Sequence, residues 1–527
     1  MTARHSAAPF DDLDELTLPA MLHLLAAERG AEEAVVAPDG RVTWSELLER
    51  SRATATRYRA LGLEPGDRIG VLLPNSVSWL VATFGAHLAG LVVVPVNTFY
   101  RATEYAHLIR TAGLRLLVAR EVLFGRSVLE DLDSAGFPGR VGARADGQTY
   151  QGMLDWPAGD PLPPGTEEPA GFSGATVSSE DIALVLFTSG STAKPKAVPL
   201  RHGNLLRNGH AIGRRQHLVP GDRLWIASPF FFGYGCGNAL PTALTHGVTL
   251  CMQERIDGEA NLEFIERERC TVYYGLSPAT HALLAAPSFG SRDISSLRTG
   301  TTGQTAEDKR LAVERLGITE VCSVYGLTES YGHSTMTEAG DPLEVVMHTV
   351  GRVLPTQELR IVDEHGAPCP IDTPGEVELR GCVLDGYLDP PEANSSSFRD
   401  GWFRTGDLAF LDGDARMHFV GRFKEMVKVK GVNIAPAEVE EVLATHPDVV
   451  QVHVVGADDG AGGEHLVAFL VLTGALAAEA LTAHVRTRAA SYKVPARFVV
   501  LDAEEVPLTP TGKVSRLKLR ERAEKAP

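Results

Sequence analysis

The 527-residue sequence predicts a layered α/β protein that changes to a β-rich texture toward its C-terminus. Short apolar runs with strand character alternate with helical segments over residues 40–120, and the same alternation returns over residues 181–340. After about residue 345 the pattern shifts to strict period two, which marks half-buried antiparallel strands.

The elements follow in order. Residues 43–63 carry helical periodicity, with Thr43 as N-cap and Glu46 three positions on, a capping-box arrangement. Asp67 to Leu73 reads as a buried strand. The most apolar window, Leu80 to Val96, is broken by Gly85, His87, Gly90 and Pro95, so it reads as a buried helix and then a strand rather than a membrane span. Leu114 to Ala119 is the next strand. Residues 156–179 are rich in Pro, Gly, Glu and Ser and read as a connection. Gln357 to Val362 and Gly375 to Arg380 alternate with period two between turn residues, giving a small antiparallel β unit. Beyond Gly421 a compact β/α module is expected. It has a helix over Glu438 to Leu443, strands over Val449 to Val455 and Leu466 to Leu472, and a basic helix from about Ser515.

Composition narrows the function. Fifty Lys and Arg against 67 Asp and Glu leave a net charge of −17, which argues against nucleic acid as a main partner, because phosphate contacts need a basic face. The six cysteines (Cys236, Cys251, Cys270, Cys322, Cys369, Cys382) form no C-x-x-C pair. That fits neither a disulfide framework nor a zinc site, and it suits a reducing cytoplasm. The N-terminal stretch carries Asp11, Asp12, Asp14 and Glu15 and lacks the pattern of a signal peptide.

The most informative segment is Phe187-Thr188-Ser189-Gly190-Ser191-Thr192-Ala193-Lys194-Pro195-Lys196. It follows the apolar run Ile182 to Phe187, so it leaves the end of a strand, where ligands bind in open α/β sheets. Hydroxyls and free backbone N–H groups donate to phosphate oxygens, and Gly190 permits close backbone approach. A flexible linker is the alternative reading. The segment does not match the Walker pattern. Gly233, Gly235 and Gly237 do not make a dinucleotide fingerprint either, since the third glycine is out of step.

Four other segments carry chemical groups. Val324 to Ser330 places Tyr325, Thr328 and Glu329 just past a strand. Gly401 to Asp407 ends in an acid after a glycine turn. Gly421 to Glu425 carries Arg422, and Thr509 to Lys513 displays a lysine on a Pro/Gly loop. Taken singly, Glu329 reads equally well as a solvated carboxylate, Asp407 as a turn residue, Arg422 as a partner of Glu425, and Lys513 as one of several tail cations.

In order and spacing, the five segments together resemble the acyl-adenylate-forming superfamily of acyl- and aryl-CoA ligases, adenylation domains and luciferases, over at least residues 40–516. The resemblance implies an N-terminal domain over 1–421, made of two α/β layered subdomains and a small β-barrel, and a smaller mobile α+β domain over 422–527. It implies that a carboxylic acid is activated by ATP as acyl-AMP, with release of pyrophosphate, and is then passed to CoA. In that scheme Thr188, Ser189, Gly190, Ser191, Thr192 and Lys196 hold the β- and γ-phosphates, and Thr328 contacts the α-phosphate. Glu329 ligates Mg²⁺, which favours oxygen donors. Asp407 accepts from the ribose hydroxyls with Arg422 close by, Tyr325 stacks on adenine, and Gly303, Gln304 and Thr305 line the base. Lys513 stabilises the charge that develops in adenylation. Lys424 is the pivot of the domain rotation that admits the thiol.

The chain departs from the family pattern at Ala193 and Ala197, where glycine is usual. Gln304-Thr305-Ala306 stands where Gly-Ala-Pro is common, and Phe232 where many relatives carry a gating histidine. The run Ser228 to Gly235 matches a family segment lining the acyl pocket. It is expected, with Phe231, Phe232, Gly233, Thr301, Thr302 and Ser330, to face an aromatic or otherwise apolar acid; core packing is the alternative for the phenylalanines. It lacks the aspartate that amino-acid-activating relatives use for the α-amino group. The basic stretch Arg201 to His217 reads as a solvated helix face, with a CoA phosphate site as the alternative. Expected partners are a small carboxylic acid and CoA or a carrier protein, with no nucleic acid and no membrane span; a homodimer is compatible. Loading of a carrier protein, amide formation, or nitrite adenylation to diazotise an aromatic amine are the alternative chemistries.

Overall fold

The computed structural model describes residues 15–137, 152–156, 177–188, 196–303, 305–429, 432–458, 464–489, 493–508 and 514–525. They form two compact units, one of residues 1–358 with 379–403, the other of residues 359–378 with 404–527.

The first unit holds two sheets of the expected α/β kind. One has six strands in the order Lys196–Arg201, Ile182–Thr188, Val92–Pro95, Arg68–Leu72, Leu114–Ala119 and Met153–Asp155. The last five pair in parallel. Their apolar runs are buried on both faces, as parallel strands under helices must be. Lys196–Arg201 pairs antiparallel at the edge, the one place in a sheet where Pro199, without an N–H, is tolerated. The other sheet has seven strands in the order Glu320–Cys322, Thr299–Thr301, Val272–Tyr274, Arg223–Ile226, Thr249–Met252, Glu33–Ala37 and Gly40–Thr43. It is parallel except for the final hairpin.

Helix Trp44–Ala60 starts with the expected capping box. The Glu46 N–H donates to Thr43 Oγ1 at 3.2 Å, and the Thr43 N–H donates to Glu46 Oε2 at 2.8 Å. The apolar window resolves into helix Val77–Leu88, buried all round, and strand Val92–Pro95. No helix among the described residues is long and apolar enough to cross a membrane.

Past residue 356, strands Gln357–Val362, Gly375–Gly381, Phe398–Arg399, Trp402–Leu411 and Met417–Arg422 make a five-stranded sheet. The C-terminal part of the second unit is a three-stranded sheet of Val449–Asp458, Glu464–Leu472 and Arg497–Val500 with helices Pro436–Ala444, Ala478–Arg486 and Arg516–Lys525. Val439, Leu443, Val454, Leu466, Leu481 and Val485 form its core.

Candidate active site

Strand Ile182–Thr188 runs into the hydroxyl-rich loop, and strand Lys196–Arg201 runs out of it, with Lys196 opposite Thr188 across the antiparallel pair. The sheet therefore sets the two posts of the loop side by side. Ser189, Gly190, Ser191, Thr192 and Ala193 lie outside the described residues. Ala197, where the family pattern has glycine, buries its methyl in the core of the six-stranded sheet. The strand's alternation sends neighbouring side chains to opposite faces.

Lys196 leads to a residue that the sequence reading missed. Its Nζ lies 4.2 Å above the ring of Tyr387, and the Tyr387 hydroxyl donates to Glu329 Oε1 at 2.9 Å. Several bonds fix this link. The Tyr387 N–H donates to Asn394 Oδ1 at 2.7 Å and Asn394 Nδ2 donates back to the Tyr387 carbonyl at 3.1 Å. The Ala197 N–H donates to the Asp389 carbonyl at 2.8 Å, and the Leu384 N–H to the Glu329 carbonyl at 2.8 Å. Burial, and then the charge of Glu329, push the Tyr387 phenol far above its ordinary range. It stays a donor, so Lys196, Tyr387 and Glu329 form one connected cation–phenol–carboxylate row. No periodicity marks Tyr387, which sits in an irregular segment between strands.

Glu329 rides on the one-turn 3₁₀ helix Thr328–Ser330, just past strand Val324–Tyr325. The turn is built tightly. A Cβ at Gly326 would lie 1.8 Å from the Gly332 carbonyl oxygen, so only glycine fits there, and Tyr331 takes a left-handed conformation at φ 60°. Ser330 is fully buried. Its hydroxyl donates to the Leu327 carbonyl at 3.2 Å and accepts from Ser334 Oγ at 2.7 Å. It therefore holds the turn from inside, while Thr328 and Glu329 remain half-exposed. Behind the turn, Asn208 Nδ2 donates to the Tyr331 and His333 carbonyls at 3.0 and 2.9 Å, and Gln357 Nε2 donates to the Ser330 and His333 carbonyls at 3.2 and 3.1 Å. Tyr325 is buried.

The aromatic segment abuts this turn. A Cβ at Gly233 would sit 3.3 Å from Thr328 Oγ1. Phe231 and Phe232 pack edge to face at 4.4 Å, and Phe99 meets Phe231 at 6.0 Å. Phe230 instead points into the core against Trp79 at 5.1 Å. The chain then enters a π-helix, Tyr234–Ala239, a widened turn frequent at functional sites. Tyr234 shares a 2.5 Å hydrogen bond with Thr301 Oγ1 and stacks on Tyr274 at 5.3 Å. Thr302 is buried beside Thr280 at 3.4 Å. Gly303 is enclosed: a Cβ would lie 2.2 Å from Asp308 Oδ2. Thr305 caps helix Ala306–Glu314, its hydroxyl donating to Asp308 at 2.7 Å, so its side chain is committed to the helix end. Gln304 lies outside the described residues.

In the second unit, strand pairing sets Asp407 opposite Arg422. The Arg422 Nε lies 3.1 Å from the Asp407 carboxylate, with Asp407 buried and Arg422 half-exposed. Thr405 Oγ1 accepts from the Asp407 N–H at 3.1 Å and anchors the turn on the Val377 carbonyl at 2.8 Å. Glu425 pairs with Arg516 at 3.5 Å, not with Arg422. The Lys424 backbone lies in the turn Phe423–Glu425; Lys513 lies outside the described residues.

The basic stretch after the loop is only partly a solvated face: Arg214 and His217 are exposed, and Arg201, Arg207 and Arg215 are half-buried. His202 is buried against His87 at 4.9 Å, and His210 stacks on His246 at 5.1 Å. Arg201 pairs with Asp385 at 2.7 Å and Arg215 with Glu338 at 3.6 Å.

The sequence model of the AMP-binding enzyme family matches residues 24–388, and that of the AMP-binding enzyme C-terminal domain matches residues 438–513. The chain belongs to the AMP-binding enzyme family. It is 34% identical over 522 residues to 3-[(3aS,4S,7aS)-7a-methyl-1,5-dioxo-octahydro-1H-inden-4-yl]propanoyl:CoA ligase of Mycobacterium tuberculosis, covering 96% of this chain and 99% of the relative. The fold superposes with a TM-score of 0.86 and 25% identity on the anthranilate CoA ligase AuaEII in complex with anthranoyl-AMP, covering 97% and 98% of the two chains. It superposes with a TM-score of 0.80 and 26% identity on the Bacillus subtilis o-succinylbenzoate CoA synthetase in complex with ATP and magnesium ion, covering 96% and 99%. This family member is thus an AMP-forming acyl-CoA ligase that works through an acyl-AMP, with ATP, Mg²⁺ and CoA as its reagents.

Proposed function

We propose that this ligase activates an acid with an aromatic or otherwise apolar body and delivers it to CoA. The observation that carries the reading is the contact between the aromatic segment and the catalytic turn: Gly233 lies against Thr328, with Phe231, Phe232 and Tyr234 around it. Flat apolar walls beside the reacting centre favour an apolar acyl group.

A carboxylate is a poor electrophile, and its exchange onto AMP passes through a transition state with negative charge spread over phosphate oxygens. Catalysis is then a matter of donors and cations placed in advance. Thr188, the loop hydroxyls Ser189, Ser191 and Thr192, and Lys196 would hold the departing phosphates, with Gly190 allowing close approach. Thr328 would donate to the α-phosphate, and Lys513 would offset the growing charge at the attacking carboxylate. Mg²⁺ fits Glu329: the ion takes one or two carboxylates plus substrate phosphates rather than a protein cage, and of the Glu329 oxygens the Tyr387 hydroxyl meets Oε1. The ion would neutralise phosphate charge there. Asp407, with Arg422 beside it, would accept from the ribose hydroxyls; Tyr325, Gly303, Gln304 and Thr305 would border the base. Thr301, Thr302 and Ser330 would shape the acyl wall, Ser330 by holding the turn. Residues 422–527 would turn about Lys424 after adenylation to admit the thiol. The six free cysteines fit a cytoplasmic enzyme.

The test is pyrophosphate release with a panel of aryl, alicyclic, fatty and amino acids and nitrite, with and without CoA. Release with apolar acids, and CoA-dependent thioester by mass spectrometry, is the expected result. Release confined to amino acids or nitrite, or release without thioester, would overturn the substrate or acceptor assignment.

A further inference from the structure

The wall beyond Tyr234 is not purely apolar. Asn238 lies in the last turn of the π-helix, is fully buried, and has no hydrogen-bond partner on either side-chain amide atom. His333 is buried nearby, and its Nε2 also lacks a partner. The two belong to one wall. A Cβ at Gly332 would lie 2.9 Å from Asn238 Nδ2, so the amide rests on the residue next to His333, and the His333 ring lies 6.4 Å from that of Tyr234. Gly332 is at φ 106°, where a side chain is disfavoured and would press on the amide.

Neighbouring buried amides are each bonded through at least one side-chain atom, although Gln216 Nε2 and Gln357 Oε1 also lack partners. The Asn208 amide donates to three carbonyls and accepts from Thr356 at 2.7 Å. Tyr274 donates to Gln216 at 3.0 Å. Native interiors pair such groups, because an orphaned amide forfeits its bonds to water without recompense. Asn238 thus leaves both amide atoms, and His333 one ring nitrogen, open to a partner.

Their position states where that partner sits. Gly233 lies beside Thr328, and Asn238 is five residues further along the helical segment, against Gly332. The His333 ring interacts with the Gly332 carbonyl through one nitrogen, which leaves Nε2 as an acceptor. Asn238 offers both a donor and an acceptor.

We propose that Asn238, with His333 beside it, recognises a hydroxyl or carbonyl oxygen carried on the acyl body at the end away from the carboxylate. The substrate class is then an apolar acid with one distal oxygen function. This rests on the acyl assignment above, with Thr328 marking the adenylation end.

The experiment compares matched acids, 3-cyclohexylpropanoate against 3-(4-oxocyclohexyl)propanoate and 3-phenylpropanoate against 3-(4-hydroxyphenyl)propanoate, by kcat/KM for pyrophosphate release. Wild type should favour the oxygenated member of a pair by about tenfold or more, since sites that hydrogen-bond a substrate reject analogues lacking the group. Asn238→Leu should erase that ratio while the unsubstituted acids keep or gain activity; His333→Phe should reduce it for the hydroxyl probe. Equal kcat/KM within each wild-type pair, or a preference that survives Asn238→Leu, would overturn the proposal. The wild-type ratio decides the matter even where a variant does not fold. Failure of the acyl assignment itself looks different: no apolar acid, oxygenated or not, then supports pyrophosphate release.

Discussion

Tyr387→Phe tests the row Lys196–Tyr387–Glu329. The substitution keeps the ring beneath Lys196 and removes only the hydroxyl that donates to Glu329 at 2.9 Å. A hydrogen bond to an ionised group contributes about 1.5–3 kcal/mol, and each 1.36 kcal/mol is tenfold in rate. The account therefore predicts that kcat/KM for acid-dependent pyrophosphate release falls about 10- to 100-fold. The demand for Mg²⁺ should rise as the carboxylate loses its fixed orientation. Tyr387→Ala also removes the face under Lys196, which adds about 1 kcal/mol, or roughly another fivefold. Melting temperature measured alongside separates this from loss of fold. If both variants stay within about twofold of wild type at limiting Mg²⁺, the row has no part in the reaction and the reasoning fails.

Acid should unfold the protein through its buried histidines. Burial lowers His87 and His333 to about 4 and His246 to about 3, from an ordinary value of 6.5. Each ring thus lends stability that is complete above pH 6.5 and is lost as pH falls toward the folded value. The loss at pH 5 is on the order of 2 kcal/mol per ring, read as a falling urea midpoint between pH 7.5 and 5; a flat midpoint would contradict it. Gly326→Ala forces a methyl against the Gly332 carbonyl oxygen, 1.8 Å away, and should lower the unfolding free energy by about 3 kcal/mol; a variant as stable as wild type to denaturant would refute the close crossing. Lys513→Ala should cut adenylation by about 100-fold or more while ATP binding, followed by calorimetry, persists. Adenylation near the wild-type rate would remove Lys513 from its role.

What could be read from sequence was what periodicity and capping encode. The runs at 67–73, 92–94, 114–119 and 182–187 all became strands of one sheet, because uninterrupted β-branched and leucine runs demand burial on both faces. Thr43 and Glu46 fixed the start of their helix by local bonds alone. Strand Lys196–Arg201 was harder to see, since its lysine and proline look like loop until the edge position excuses both. The residues alone pair Arg422 as readily with Glu425; the family resemblance set it near Asp407, and strand register is what brings the two opposite each other. Tyr387, Asn208 and Gln357 were illegible for one reason: each acts on a segment more than 20 residues away in sequence, and none lies in a pattern. His202 and His210 look solvated among their arginines, and only packing shows them set edge-on to His87 and stacked on His246.

Two-step acyl-CoA formation is the central claim, and a quenched single-turnover experiment tests it most directly. Enzyme, Mg²⁺, ATP and an apolar acid are mixed without CoA, quenched and read by mass spectrometry, and CoA is then added to a second portion. The first portion should hold a stoichiometric acyl-AMP, which should disappear with matching acyl-CoA in the second. Acyl-AMP that persists after CoA is added, or thioester formed with release of ADP and phosphate in place of AMP and pyrophosphate, would contradict it.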